Sequence, residues 1–121
     1  MVKKIIHLKK QNSDFDLPFD DNTEDRVYLN ALENHLPRLV DLVEPDFMFY
    51  LAGVDVLKTD KLGRLGLSMA GCKARDRFVL SLCKNQKIPV QVSMGGGYSV
   101  HLKNIIDVHS NTFELAQELF F

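Results

Sequence analysis

The apolar and polar positions along the 121-residue chain fall into three kinds of pattern. From Tyr28 the apolar residues Tyr28, Leu32, Leu36, Leu39, Val40 and Val43 recur three or four apart, which predicts a helix with one inner face. Asn22 or Thr23 is placed to cap it, and Glu24 and Asp25 suit the positive end of its dipole. Pro37 removes a backbone donor and predicts a kink or break near Asn34, and Glu44-Pro45 predicts the end. Asp46–Gly53, "DFMFYLAG", is a nearly continuous apolar run between Pro45 and Gly53, the signature of a strand buried on both faces. After an irregular, glycine-containing loop, Ser68 is placed to cap a second helix over about Met69–Asn85. "KIPVQVSM" predicts another strand, with Pro89 tolerated near its start. A last helix is expected from about Val100 to Leu119, its inner stripe formed by Leu102, Ile105, Ile106, His109, Phe113, Ala116 and Leu119. Val2–Leu8 reads as a further short strand, and the polar stretch after it as a loop.

The order strand, helix, strand, helix from Asp46 predicts a right-handed parallel crossover. The fold class is therefore α/β: a three-layer arrangement of a parallel sheet with flanking helices, in a single domain over 1–121. Three candidate strands are few for such a sheet. They leave at least one edge bare, which suggests that something is missing or supplied by a partner.

Composition narrows the function classes. The formal net charge is −1 and 45% of the residues are hydrophobic, an ordinary globular balance without the basic stripe of a nucleic-acid binder. No apolar run is long enough to span a membrane, and the N-terminus carries charge without the apolar core of a secretory signal. Cys72 and Cys83, eleven apart on a predicted helix, are too far apart along its axis for a disulfide. They are expected to be reduced core residues of a cytoplasmic protein.

Candidate chemistry sits in two loops that leave the carboxyl ends of the apolar strands, where open parallel sheets place ligands. One offers Asp55 and Asp60. The other, "VSMGGGYSV", offers Gly95, Gly96 and Gly97 followed by Tyr98. If the two strands are neighbours, a carboxylate and a phenol share one rim. A carboxylate can hold a cation, and a phenol can donate a hydrogen bond to developing negative charge. The glycine run also invites a phosphate-binding reading, although its spacing fits neither G-x-G-x-x-G nor the P-loop. Taken alone, a tight turn accounts for the glycines and a loop brace for either aspartate. His101 and His109, eight apart, would not share a metal, and His7 and His35 have no ligand partner in the sequence.

"PDFMFYLAGVDVLKTDKLGRLGLSMAG" and "IPVQVSMGGGY", in this order, closely resemble the C-terminal part of the zinc-dependent histone deacetylase family, the arginase–deacetylase fold. They look most like its class IV and bacterial acetoin-utilisation branch, and the stretch from about Lys9 onward follows the same pattern. The resemblance implies that Asp60 ligates a catalytic zinc and that Tyr98 polarises an acyl carbonyl. It implies that Asp55 braces the loop, and that Leu67 and Gly95 to Gly97 border a narrow acyl-lysine channel. It implies a Zn2+ cofactor, and hydrolysis of an acetyl-lysine or small acylated amine by zinc-bound water, with a histidine pair moving protons. The family's paired histidines and Asp-x-His zinc motif lie upstream of everything aligned here. No His-His pair occurs, and the Asp-x-His motif is expected to be missing. A catalytic zinc takes about three protein ligands, and one is recognisable. The chain is therefore expected to be a deacetylase portion that lacks the N-terminal part, is inactive alone and does not bind zinc tightly. The other reading is a non-catalytic module that self-associates or docks on a complementary chain.

Overall fold

The computed structural model describes residues 13–121, so the expected strand Val2–Leu8 lies outside the described residues. The elements run α1 (Asp25–Val43), β1 (Met48–Gly53), α2 (Met69–Asn85), β2 (Val90–Gly95) and α3 (Leu102–Phe120). β1 and β2 pair in parallel, Met48 opposite Val90 through Gly53 opposite Gly95. Among the described residues the sheet has two strands, so the α/β class stands while a three-layer sheet is not formed.

Register puts Met48, Tyr50, Ala52, Val90 and Val92 on one face, because in-register residues of parallel strands point the same way. That face meets helices. The Tyr50 hydroxyl reaches Asp76 of α2, Met48 sulfur touches Cys83, and Val90 and Val92 face Leu80 of α2 and Ala116 of α3. α1 lies alongside α2 in the same layer. The opposite face has no such cover, and Phe49 and Leu51 are 79% and 68% exposed. The expectation that β1 is buried on both faces is thus corrected. The hydrophobicity is there, but among the described residues nothing covers the second face.

The core sits at the carboxyl end of the sheet. Val54, Leu57, Leu67, Cys72 and Val108 are essentially inaccessible, with Tyr28, Met69 and Ile105 packed on them. Cys72 and Cys83 are buried free thiols, and burial pushes the Cys72 pKa up to about 11, which keeps it protonated and inert.

Three local expectations need correction. α1 runs unbroken through Pro37 for 19 residues. Its N-cap is Glu24, which makes no side-chain cap, while the Thr23 hydroxyl donates to the Asp20 carbonyl instead. α1 ends at Glu44, whose left-handed φ of 49° lets its N–H reach the Val40 carbonyl. Third, α3 is rotated from the expected orientation. It buries Val108, Thr112 and Leu115, while Leu102, Ile106 and Phe113 are 67%, 53% and 46% exposed. It starts at Leu102, with His101 as its N-cap.

Ser68 caps α2 as its position predicts, its Oγ accepting from the Gly71 N–H at 2.9 Å. Asp25, the first residue of α1, joins in. Its carboxylate accepts from the Ser68 N–H (2.8 Å) and from the Ser68 hydroxyl. One acidic side chain thereby locks the start of α1 to the start of α2, with favourable charge at the latter's N-terminus.

Candidate functional site

The two irregular loops leave adjacent strand ends. The Val54 N–H donates to the Gly95 carbonyl at 2.9 Å, extending the ladder one step before the chains part. Beyond that point they meet again. Asp60 and Ser99 form an antiparallel bridge, and the Lys61 N–H donates to the Tyr98 carbonyl at 3.3 Å. Asp60 and Tyr98, 38 positions apart, are thereby brought to one rim.

The Asp60 carboxylate is the hub. Its Oδ1 accepts from the Tyr98 N–H at 2.9 Å, and its Oδ2 from Leu62 (2.9 Å) and Gly63 (2.8 Å). Burial alone would raise its pKa. The backbone N–H groups of Gly63, Tyr98, Leu62 and Gly97 outweigh that and hold the carboxyl below its ordinary range. This explains the glycine run. Gly96 and Gly97 take φ of +71° and +113°, conformations an L-residue rarely adopts. They turn consecutive N–H groups inward as an anion-binding cradle, and the anion is Asp60. A phosphate would have to displace an internal carboxylate, so the phosphate-loop reading loses its donors.

The remaining expected residues are dispersed. Asp55 is exposed beside this turn, and three glycines crowd it. A Cβ on Gly63 would fall 1.7 Å from the Asp55 carbonyl oxygen, one on Gly96 2.8 Å from the Asp55 nitrogen, and one on Gly53 3.0 Å from its Oδ1. Gly95 ends β2 against Leu51. The Tyr98 ring is 57% exposed. Leu67, expected on a channel wall, is 0% exposed in the core against Val54 and Leu57, so in this chain it forms the floor beneath the loop.

Sequence reasoning missed a buried polar cluster under the rim. Asp76 is fully buried and accepts from the Tyr50 hydroxyl, from Arg75 Nε (2.9 Å) and from the Thr112 hydroxyl (2.5 Å). Arg75 Nη2 also lies 2.8 Å from Asp76 Oδ1, but off its N–H axis, so it adds charge contact without a second hydrogen bond. Nη1 donates at 2.6 Å to the carbonyl of Gly53, the residue from which the Asp55 loop departs. Burial drives the Tyr50 hydroxyl pKa far up, with Arg75 opposing and Asp76 adding, so the phenol stays a donor. Adjacent Arg and Asp in a helix read as solvent-facing charges. The signal that marks them otherwise is their place among Cys72, Val79, Leu80 and Cys83 on the buried side of α2.

The residues present do not by themselves fit a catalytic zinc. Among the described residues no three His, Cys, Asp or Glu side chains are grouped to hold a metal. The Asp60 oxygens already accept backbone donors on both sides. An Asp-x-His triplet does occur, contrary to expectation, as Asp107-Val108-His109. It lies on α3 with Val108 buried between its polar members, and Asp107 pairs with Lys103 at 2.6 Å. Two apart on a helix, the half-buried Asp107 and His109 side chains point to different sides and are not a ligand pair.

A family model described as "Histone deacetylase domain" matches residues 1–113. The chain belongs to the histone deacetylase domain family. It is 38% identical over 112 residues to an uncharacterized protein of Picosynechococcus, covering 93% of this chain and 37% of that protein. It is 33% identical over 84 residues to histone deacetylase B of Dictyostelium discoideum, covering 69% of this chain and 19% of that one. In fold it matches the HDA15 HD domain at TM-score 0.67 and 23% identity, over 80% of this chain and 27% of that one. The chain thus spans little more than a third of the Picosynechococcus relative, and is a partial histone-deacetylase-like domain. Among its described residues no helix is long and apolar enough to cross a membrane.

Proposed function

We propose that this histone-deacetylase-family chain supplies one wall of a zinc-dependent deacetylase site and does not hydrolyse an acylated amine by itself. The observation that carries the reading is the Asp60–Tyr98 junction, a carboxylate held ionised and bonded at 2.9 Å to the backbone of an exposed tyrosine. In this reading Asp60 contributes one carboxylate to a metal set whose other ligands lie outside the described residues. The Tyr98 hydroxyl donates a hydrogen bond to the acyl oxygen of an acetyl-lysine or small acylated amine as that oxygen gains charge. Asp55 braces the turn, Gly95 to Gly97 leave room for the acyl chain to pass, and Leu67 supports the loop from beneath. Within the family we place the chain in the class IV and acetoin-utilisation branch, on the wording of its "AGVD" and "GGGY" loops.

The test is an acetyl-lysine hydrolysis assay with added zinc. The chain alone should show no turnover. Co-expressed with the part of the Picosynechococcus relative that lies outside the match, it should turn over, and Tyr98→Phe should lower kcat on the order of 10²-fold, the cost of one oxyanion donor. Turnover by the isolated chain would refute the partial-site reading. Full activity of the Tyr98→Phe pair would refute the role of the phenol.

A further inference from the structure

The geometry points to Arg75 as a positioning residue for the Asp60–Tyr98 rim: by gripping the carbonyl of Gly53 it fixes where the Asp55–Asp60 loop leaves the sheet. The grip lies within this chain's own interior, and its bearing on acyl hydrolysis rests on the function proposed above.

Gly53 is the last residue of β1, and the β1–β2 ladder leaves its carbonyl over. The Met48 N–H donates to the Pro89 carbonyl and the Val54 N–H to the Gly95 carbonyl, so it is the even-numbered residues that bond to β2. Gly53 falls between two of them and turns its carbonyl away from β2. A half-buried carbonyl needs a donor, and Arg75 Nη1 supplies it at 2.6 Å. Arg75 is 3% exposed and is held on two further sides. Its Nε donates to Asp76 at 2.9 Å, and the guanidinium carbon lies 5.9 Å from the centre of the Tyr50 ring of β1. A rigid planar fork fixed by a carboxylate and a ring keeps Nη1 aimed in one direction.

From Gly53 the constraint reaches the rim through contacts without slack. A Cβ on Gly53 would fall 3.0 Å from Asp55 Oδ1, and one on Gly63 would fall 1.7 Å from the Asp55 carbonyl oxygen. The Gly63 N–H donates at 2.8 Å to Asp60 Oδ2, and the Tyr98 N–H at 2.9 Å to Oδ1. A shift of Gly53 therefore displaces Asp55, Gly63 and the Asp60 carboxylate in turn, and Tyr98 loses its anchor. If Arg75 served only as the ion-pair partner of Asp76, releasing Gly53 would leave the rim as it is.

Arg75→Lys separates the two roles. An ammonium keeps the charge beside Asp76 but has no fork, so it pairs with the carboxylate and releases the Gly53 carbonyl. In native-state hydrogen exchange on the full chain, the amides of Leu62, Gly63 and Tyr98 should then exchange roughly tenfold faster or more, the scale of one lost charge-assisted hydrogen bond. Protection within α2 and α3 should change less. Thr112→Val removes a donor to Asp76 without touching Gly53, so it should lower protection in the core helices and leave the rim at its wild-type rate. Rim exchange unchanged in Arg75→Lys, or accelerated equally by Thr112→Val, would overturn the assignment. Should Arg75→Lys fail to fold, nitrogen-15 spectra of the wild-type chain decide: separate, slowly exchanging Arg75 Nη resonances are expected, and averaged ones would overturn it. Neither readout needs turnover, so an inactive co-expressed pair would count against the catalytic reading alone.

Discussion

Asp76→Ala is the most informative perturbation of the fold. The carboxylate is fully buried and accepts from Tyr50, Arg75 and Thr112, which belong to β1, α2 and α3. Its removal strands the Arg75 charge, whose side chain is 4% exposed, and leaves two hydroxyls without their acceptor. Breaking one side of a buried ion pair costs about 3–5 kcal/mol. Against the roughly 5–15 kcal/mol that holds a typical domain together, this is a large share. At about 4 °C per kcal/mol for a chain of this size, Tm should fall by roughly 12–20 °C. The assay is urea unfolding followed by circular dichroism, with thermal melts alongside. Thr112→Val is the milder companion, losing one hydrogen bond to a charged acceptor and about 1.5–3 kcal/mol. It reports on the cluster even if Asp76→Ala fails to fold. A loss below about 1 kcal/mol in Asp76→Ala would show that Arg75 reaches water by another rotamer and that the cluster is not a structural hub.

Two further outcomes test the rim. Gly63→Ala should disrupt the Asp55–Asp60 loop, because the new methyl would sit 1.7 Å from the Asp55 carbonyl oxygen, a rigid backbone atom; loss of amide protection at Tyr98 in hydrogen exchange would report it, and a wild-type exchange pattern would contradict it. Asp60 has a folded pKa below its unfolded value of about 3.9, so its contribution to stability is complete above that pH and is lost as pH falls through the folded pKa. Asp60→Asn should flatten this acid limb of the stability profile and cost about 1–3 kcal/mol at neutral pH; an unchanged acid limb would refute the carboxylate cradle.

The sequence by itself determined the element order and the parallel crossover, and put Asp60 and Tyr98 on one rim only on the condition, met in the structure, that the two strands are neighbours. These follow from local physics: apolar periodicity, a serine cap on α2, and two apolar strands joined by one helix. Tertiary structure alone decided which apolar faces are covered. α3 carries two apolar arcs, and the pattern favoured the one containing Leu102, Ile106 and Phe113, because periodicity records that a face is apolar without recording what meets it. β1 reads as doubly buried for the same reason. The Arg75–Asp76 cluster escaped notice because burial of a charge depends on partners supplied by distant elements, here Tyr50 and Thr112. The purpose of the glycine run was also invisible in the sequence: only the folded loops show that the positive φ of Gly96 and Gly97 brings the N–H groups of Gly97 and Tyr98 onto a carboxylate from the same chain.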